Sequence, residues 1–245
     1  MSDNVSAPGQ PESPRPQAYV DFLLRTQDWE SGGQRFKIPV SGYGSNKLAL
    51  AYGFPDLQAF ADDLPNGAEV LDVGAGVSPL GIDVCRLRPD IHWVSADTFY
   101  YNTGVRDKLQ SDSPPNLTIL PANALTLTAS SGEGRYNRVL SSYLFIQLWK
   151  GGAEPVQVAA AEMLKAAAPD GMVSALPVDS GFRVPGQEDR YRIAGQSIIV
   201  NAPPKLGNEV LESQALLIAR ATKLSRTAIR TMAGPISGSG SPGFR

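Results

Sequence analysis

The sequence is poor in the two residue types most used for covalent and metal chemistry: its 245 residues hold one cysteine, Cys85, and one histidine, His92. A single cysteine excludes an intrachain disulfide and a cysteine-based zinc site, and a single histidine excludes any catalytic or metal centre that needs a pair. Long apolar runs are missing as well, since none approaches the ~20 residues that cross a bilayer, so no membrane partner is expected. Charge is scarce and balanced: 19% of residues are charged, with 22 Lys and Arg against 24 Asp and Glu. That excludes a globally basic surface of the kind that holds nucleic acid by charge alone. The opening residues Met1-Ser2-Asp3-Asn4 have neither the basic nor the apolar region of a signal peptide, so the expected location is cytoplasmic.

Apolar residues, by contrast, make up 42% of the chain, enough for a sizeable core, and it carries 24 Gly and 20 Pro whose positions matter. Residues 1–17 contain Pro8, Pro11, Pro14 and Pro16 and almost no large apolar side chain, so burial cannot offset the entropy of ordering them; a disordered tail is expected. Residues 233–245, rich in Gly and Ser, read as a second flexible tail. Between the tails lie two regions. Residues 18–66 are expected to form an N-terminal helical region or lid, with helices at Tyr19–Glu30 and Asn46–Asp62 around the Gly-rich Ser31–Ser45. Residues 67–232 alternate short β-branched runs with helical patterns, the signature of parallel strands joined by crossover helices.

The strands of this second region are expected at Glu69–Val73, His92–Ala96, Leu117–Leu120, Arg138–Ser141 and Met172–Leu176. The clearest helix is Pro155–Ala168, where Val156, Ala160, Met163, Leu164 and Ala167 share one face before Pro169-Asp170-Gly171 breaks it. A long helix, Asn208–Met232, follows. The fold class expected is α/β, Rossmann-like and doubly wound, with a mostly parallel sheet and helices on both faces.

The most informative stretch is Glu69-Val70-Leu71-Asp72-Val73-Gly74-Ala75-Gly76-Val77-Ser78-Pro79-Leu80-Gly81: a buried strand, a glycine loop, then a helix start with Ser78 as the expected N-cap and Pro79 in the first turn. Gly74 and Gly76 let the backbone turn sharply and approach a ligand, and the helix N–H groups favour polar or anionic ligand atoms. Asp97 ends the second of these strands, 21 residues after Gly76, where a carboxylate can accept hydrogen bonds from both hydroxyls of a ribose. The third strand leads into Pro121-Ala122-Asn123-Ala124, offering an amide side chain and a backbone N–H to a base edge. A dinucleotide fingerprint fits less well, because Pro79 stands where its third glycine belongs and Gly81 comes two residues late.

Over about Tyr52 to Val178 these residues resemble the class I S-adenosylmethionine-dependent methyltransferases. Asp72-x-Gly74-x-Gly76 is similar to that family's first motif, Asp97 to its ribose-binding acid, Asn123 to the residue that meets the adenine amino group, and Ser141-Ser142-Tyr143-Leu144-Phe145 to the fourth-strand motif beside the transferred methyl. The resemblance implies a seven-stranded sheet ending in an antiparallel hairpin, which Phe182–Asn201 can supply. It implies S-adenosyl-L-methionine as cofactor, S-adenosyl-L-homocysteine as product and no metal. The implied cofactor contacts are Asp72, Gly74, Ala75, Gly76, Asp97, Thr98, Asn123, Ala124 and Ser142.

Methyl transfer needs a dry, well-aligned pocket more than it needs a covalent nucleophile. The aromatic residues Tyr43, Tyr101, Tyr143 and Phe145 fall where an acceptor would enter, and Ser142 and Tyr143 are the expected catalytic-side contacts. His92 begins its strand at the end away from that rim, so it is expected to be a strand histidine rather than a base, and Cys85 a core residue. The expected activity is transfer to an oxygen or nitrogen of a small-molecule acceptor. Two other readings stay open: an RNA methyltransferase that uses Arg220, Lys223, Arg226 and Arg230, and a catalytically degenerate cofactor-binding scaffold. A homodimer also stays open.

Overall fold

The computed structural model describes residues 44–178, 181–203 and 207–224 in full, together with the backbone of residues 25–31 and 34–40. The N-terminal region departs from the helical expectation. Strand β1 (Arg25–Ser31) pairs antiparallel with β2 (Gln34–Val40), with Ser31 opposite Gln34. Phe36, Ile38 and Val40 alternate with polar residues at period two, and Gly32-Gly33 between the strands is a hairpin sequence, so the pairing of two segments overrides the weak helical spacing of one. The expected helix Asn46–Asp62 is broken into α1 (Ser45–Ala51) and α2 (Leu57–Asp62). The break falls at Gly53, with φ +92, and Pro55, and Asp56 then caps α2 by accepting the Ala59 N–H at 2.8 Å.

The main sheet is built from β3 (Glu69–Val73), β4 (His92–Asp97), β5 (Leu117–Pro121), β6 (Tyr136–Ser142), β7 (Ala167–Leu176), β8 (Arg192–Ala194) and β9 (Ser197–Asn201). The seven strands run in the order β5-β4-β3-β6-β7-β9-β8. The first five are parallel, β9 is antiparallel to β7, and β8 returns as a hairpin against β9. This is the Rossmann-like order and edge hairpin that the resemblance implies.

Strand alternation splits the core into two layers. Leu71, Val73, Val94, Ala96, Val139, Val173 and Ala175 face one side. There they meet α5 (Leu127–Ser131), α6 (Leu144–Leu148), α7 (Ala153–Ala166) and α8 (Asn208–Ala221). Val70, Trp93, Leu117, Ile119, Leu140 and Leu176 face the other, beneath α1, α2, α3 (Pro79–Leu87) and α4 (Thr103–Asp112). Asp72, Ser95, Asp97 and Ser142 alternate onto this second face near the carboxyl ends of their strands. The winding reverses between β3 and β6, and in an open α/β sheet the crevice at that reversal, outside the carboxyl ends, is where ligands bind.

Helix α7 ends at Ala166 rather than Ala168: Ala167 is already extended and pairs with Tyr136, and Ala168, just ahead of Pro169, is biased to the same extended conformation as β7 runs on. Helix α8 ends at Ala221 with Thr222 as its C-cap, and Lys223 and Leu224 lie outside it, so the expected single helix to Met232 stops short; residues 225–232, with Arg226 and Arg230, lie outside the described residues, as do Tyr43 and both tails. Among the described residues no helix is long and apolar enough to cross a membrane.

Candidate functional site

At the end of β3 the chain leaves the sheet through Gly74 (φ +75) and Gly76 (φ +59), two conformations that a side chain would disfavour. The loop is tied to β4 by its own backbone: the N–H groups of Gly74 and Ala75 both donate to the Ala96 carbonyl, at 2.8 and 3.3 Å. Asp97 completes the tie. Its Oδ2 accepts the Gly76 N–H at 3.1 Å and its Oδ1 accepts the Phe99 N–H at 2.9 Å. The carboxylate is thus oriented by the backbone of the two turns that flank the rim. Beneath the loop the buried Tyr100 hydroxyl donates to the Gly76 carbonyl at 2.6 Å.

Ser78 differs from its expected role. It adopts φ +51 and makes no capping hydrogen bond; its hydroxyl instead pairs with that of Ser95 under the loop. Gly81 has a packing reason, because a Cβ there would lie 2.5 Å from Trp93 Nε1 and 2.6 Å from Ser78 Oγ. The glycine therefore lets α3 press onto β4, which fixes the loop from below.

Asp72 is buried on β3 and its Oδ1 has no hydrogen-bond partner. Burial, with the nearby charge of Asp97, raises its carboxyl from the usual range to about 7. A buried carboxylate with an idle oxygen beside a second acid suits a cationic group.

The next strands bring further predicted residues to the same rim. Thr98 opens the turn after β4, its hydroxyl 3.4 Å from Asp97 Oδ1. Asn123 follows β5, where its Oδ1 accepts the Leu125 N–H at 3.0 Å and caps a short turn starting at Ala124, so the amide oxygen is already oriented. Tyr143 follows β6 with φ +64, a strained conformation for an aromatic residue, and its N–H donates to the Leu176 carbonyl at 2.8 Å.

One predicted site residue falls elsewhere. Phe145 is fully buried in the core beneath α7, on the opposite face of the sheet from Asp72, so it packs rather than lines the rim. Tyr101 is 46% exposed at the end of the turn after Asp97. His92 sits at the amino end of β4 with its Nε2 3.0 Å from Thr118 Oγ1, away from the rim. Cys85 is buried, and burial pushes its thiol up to about 12.

Sequence reasoning missed Tyr52. It follows α1, is almost wholly buried, and its hydroxyl lies 2.9 Å from Ser142 Oγ, 90 residues away. A Tyr beside Gly53 after a helix carries no motif, and only the folded chain brings it to the end of β6.

No protein-family model matches the sequence, and no curated protein sequence matches it. Among solved structures, the chain is similar to a candidate sarcosine dimethylglycine methyltransferase from Galdieria sulphuraria, with 18% identity over 48% of this chain and 41% of that one and a TM-score of 0.38. It is also similar to a TehB-like SAM-dependent methyltransferase from Corynebacterium glutamicum, with 16% identity, coverage of 59% and 85% and a TM-score of 0.42. A third is the antibiotic-resistance methyltransferase Kmr, with 14% identity, coverage of 72% and 99% and a TM-score of 0.42. The chain spans less than half the length of the first of these.

Proposed function

We propose that this protein is an S-adenosylmethionine-dependent methyltransferase that transfers a methyl group to an oxygen or nitrogen of a small-molecule acceptor. The observation that carries the reading is the tie between loop and acid: Asp97, at the carboxyl end of β4, accepts the Gly76 and Phe99 N–H groups and so holds the glycine loop and its own carboxylate in one fixed arrangement at the rim. That arrangement suits the paired hydroxyls of a ribose. The idle Asp72 Oδ1 adds an acceptor suited to the donor's ammonium. Gly74, Ala75 and Gly76 present backbone to the donor, Thr98 flanks the ribose, and Asn123 and Ala124 offer the adenine an amide and an N–H. Ser142 and Tyr143 stand on the acceptor side, with Tyr101 at its edge.

The donor supplies a methyl group on a cationic sulfur, which leaves as a neutral thioether. The protein's share is alignment and the exclusion of water, which alone can remove several kcal/mol from the barrier, on the order of 7–11 for ideal positioning. The RNA alternative draws less support from the described residues, because Lys223 lies over the Trp149 ring, 5.5 Å from its centroid, and so is engaged within the fold.

Isothermal calorimetry with S-adenosylhomocysteine tests the reading. Saturable binding at one site is expected, with none for NAD under the same conditions. No heat with the demethylated donor, or preference for NAD, overturns it.

A further inference from the structure

The donor loop turns into the left-handed region three times. Gly74, Gly76 and Ser78, every second residue, hold φ of +75, +59 and +51, and for Ser78 that conformation is sparsely populated. Such a path persists where its surroundings over-determine it. Here the holds come from one place, the end of β4 and the turn Thr98–Tyr101 that follows it. The Ala96 carbonyl accepts the Gly74 and Ala75 N–H groups, the Ser95 hydroxyl pairs with that of Ser78, and Asp97 accepts the Gly76 N–H.

Tyr100 closes this set from the other end of the turn. It is fully buried in the layer that holds Trp93 and Leu109, and its hydroxyl donates to the Gly76 carbonyl at 2.6 Å. Gly76 is thereby gripped at both of its backbone groups, the N–H by Asp97 and the carbonyl by Tyr100. Asp97 is in turn fixed to the same turn by the Phe99 N–H.

We infer that Tyr100 is a positioning residue for the donor: its hydroxyl locks Gly76, and through Gly76 the carboxylate of Asp97, in the arrangement that receives a ribose, so that the site is formed before the donor arrives. The inference goes beyond the proposed function and rests on it, because it takes the loop and Asp97 as the ribose-binding part.

The hydroxyl, not the ring, carries the role. An apolar layer is filled as well by Phe, and a buried hydroxyl is costly unless it is bonded; this one directs its single proton to the Gly76 carbonyl. Burial, then the charges of Asp97 and Asp72, holds the Tyr100 hydroxyl well above its ordinary value, so it stays protonated and remains a donor. Glycine is the residue most free to leave a left-handed conformation, and rotating Gly76 out of it would break the bonds at both its N–H and its carbonyl. With the carbonyl released, the loop populates other conformations, and apparent donor affinity falls in proportion to the fraction that stays competent.

The test compares wild type with Tyr100→Phe, which keeps the ring and removes the hydroxyl. Hydrogen–deuterium exchange on the free proteins reads the loop. The Gly74–Gly76 amides are expected to be protected in the ligand-free wild type and to exchange about tenfold faster in the variant, with β3 and β4 unchanged. Calorimetry reads the consequence: affinity for S-adenosylhomocysteine should fall about tenfold, 1.4 kcal/mol, and the wild-type preference for it over its 2′-deoxy analogue should shrink. A purely structural role would lower the urea midpoint and leave affinity and preference as they are; that result overturns the inference. If Tyr100→Phe does not fold, exchange in the wild type decides. Protection at Gly74–Gly76 that S-adenosylhomocysteine barely increases supports a preformed site, and protection that appears only with the ligand overturns it. Failure of the wild type to bind S-adenosylhomocysteine overturns the methyltransferase reading and the donor role of Tyr100 with it, whereas wild-type binding with an unchanged variant overturns the inference alone.

Discussion

Asp97 reaches Gly76 across 21 residues of chain through a backbone N–H, whereas Tyr52 reaches Ser142 across 90 through two side chains. The first contact belongs to one β-loop-α-β unit, whose conformation follows from glycines, a proline and a strand end lying close together in sequence. The second exists only because α1 is anchored at both ends, on α3 and on the β8–β9 hairpin. A donor pocket made of backbone is constrained by where glycine must stand. An acceptor pocket made of side chains can change its chemistry at single positions while the sheet stays intact. The two halves should therefore respond to substitution in different ways.

The largest effect is expected at Gly74. Valine there must hold φ +75, with its Cβ 3.0 Å from Leu144 Cβ, so the loop has to move. Binding of S-adenosylhomocysteine should fall by more than about 100-fold, ~2.7 kcal/mol, while far-UV circular dichroism stays at the wild-type level. Retained affinity in Gly74→Val would mean that the loop does not touch the donor. Asp97→Ala comes next. It removes a charged acceptor from the Gly76 and Phe99 N–H groups as well as from the ribose, and hydrogen bonds to charged groups are worth about 1.5–3 kcal/mol. Calorimetry should show a loss of about 10- to 100-fold, and an unchanged affinity would show that the ribose is held elsewhere.

The donor half was largely legible in the sequence, for a physical reason. Asp72, Gly74, Gly76 and Asp97 are required by local backbone geometry, and the strands that carry them are fully buried, so their apolar runs are unmistakable. Single residues in that half were harder to place. The Ser78 hydroxyl was read as a helix cap, but φ +51 turns it toward Ser95, and that conformation leaves no local trace. Phe145 lies two residues from Tyr143, yet α6 begins between them and turns it to the core on the other face. The acceptor half was not legible. Tyr52 lies in a segment whose helical spacing hid a break at Gly53 and Pro55. The β1–β2 hairpin was missed because pairing between segments outweighs the periodicity of either one.

Asp72 sharpens the comparison by pH. Its carboxyl is raised to about 7 by burial first and by Asp97 second. A carboxyl whose folded value lies above its unfolded one binds more protons folded than unfolded, so stability falls as pH rises from about 4 to 7 and the full cost remains above that. Asp72→Asn should therefore raise the unfolding free energy at pH 8, by an amount on the order of 1–4 kcal/mol, read as a higher Tm, and give no gain at pH 4. A ligand ammonium beside the carboxylate reverses the balance. Binding should expel the proton, so wild-type affinity for S-adenosylhomocysteine should rise between pH 6 and 8. In Asp72→Asn that rise should flatten and the affinity at pH 8 should drop several-fold. A variant that is no more stable at pH 8 would show that Asp72 is solvated rather than held in reserve for a ligand.

The smallest effect on donor affinity is expected at Gly195, where residues 50–53 meet the edge hairpin. Alanine there must adopt φ +57 with its methyl 2.7 Å from the Ala51 carbonyl and from the Gly53 amide nitrogen. Both neighbours are backbone, so residues 50–53 have to lift. Strain of this kind costs about 1–3 kcal/mol, which a denaturant titration would read as a lower midpoint with an unchanged slope. A Cβ on Gly195 meets Leu50, Ala51 and Gly53 first, none of them in the donor loop, so affinity for S-adenosylhomocysteine should stay within about twofold. If donor affinity falls as far as it does in Asp97→Ala, the two halves of the rim are one cooperative unit, and residues 50–53 shape the donor pocket as much as the acceptor's.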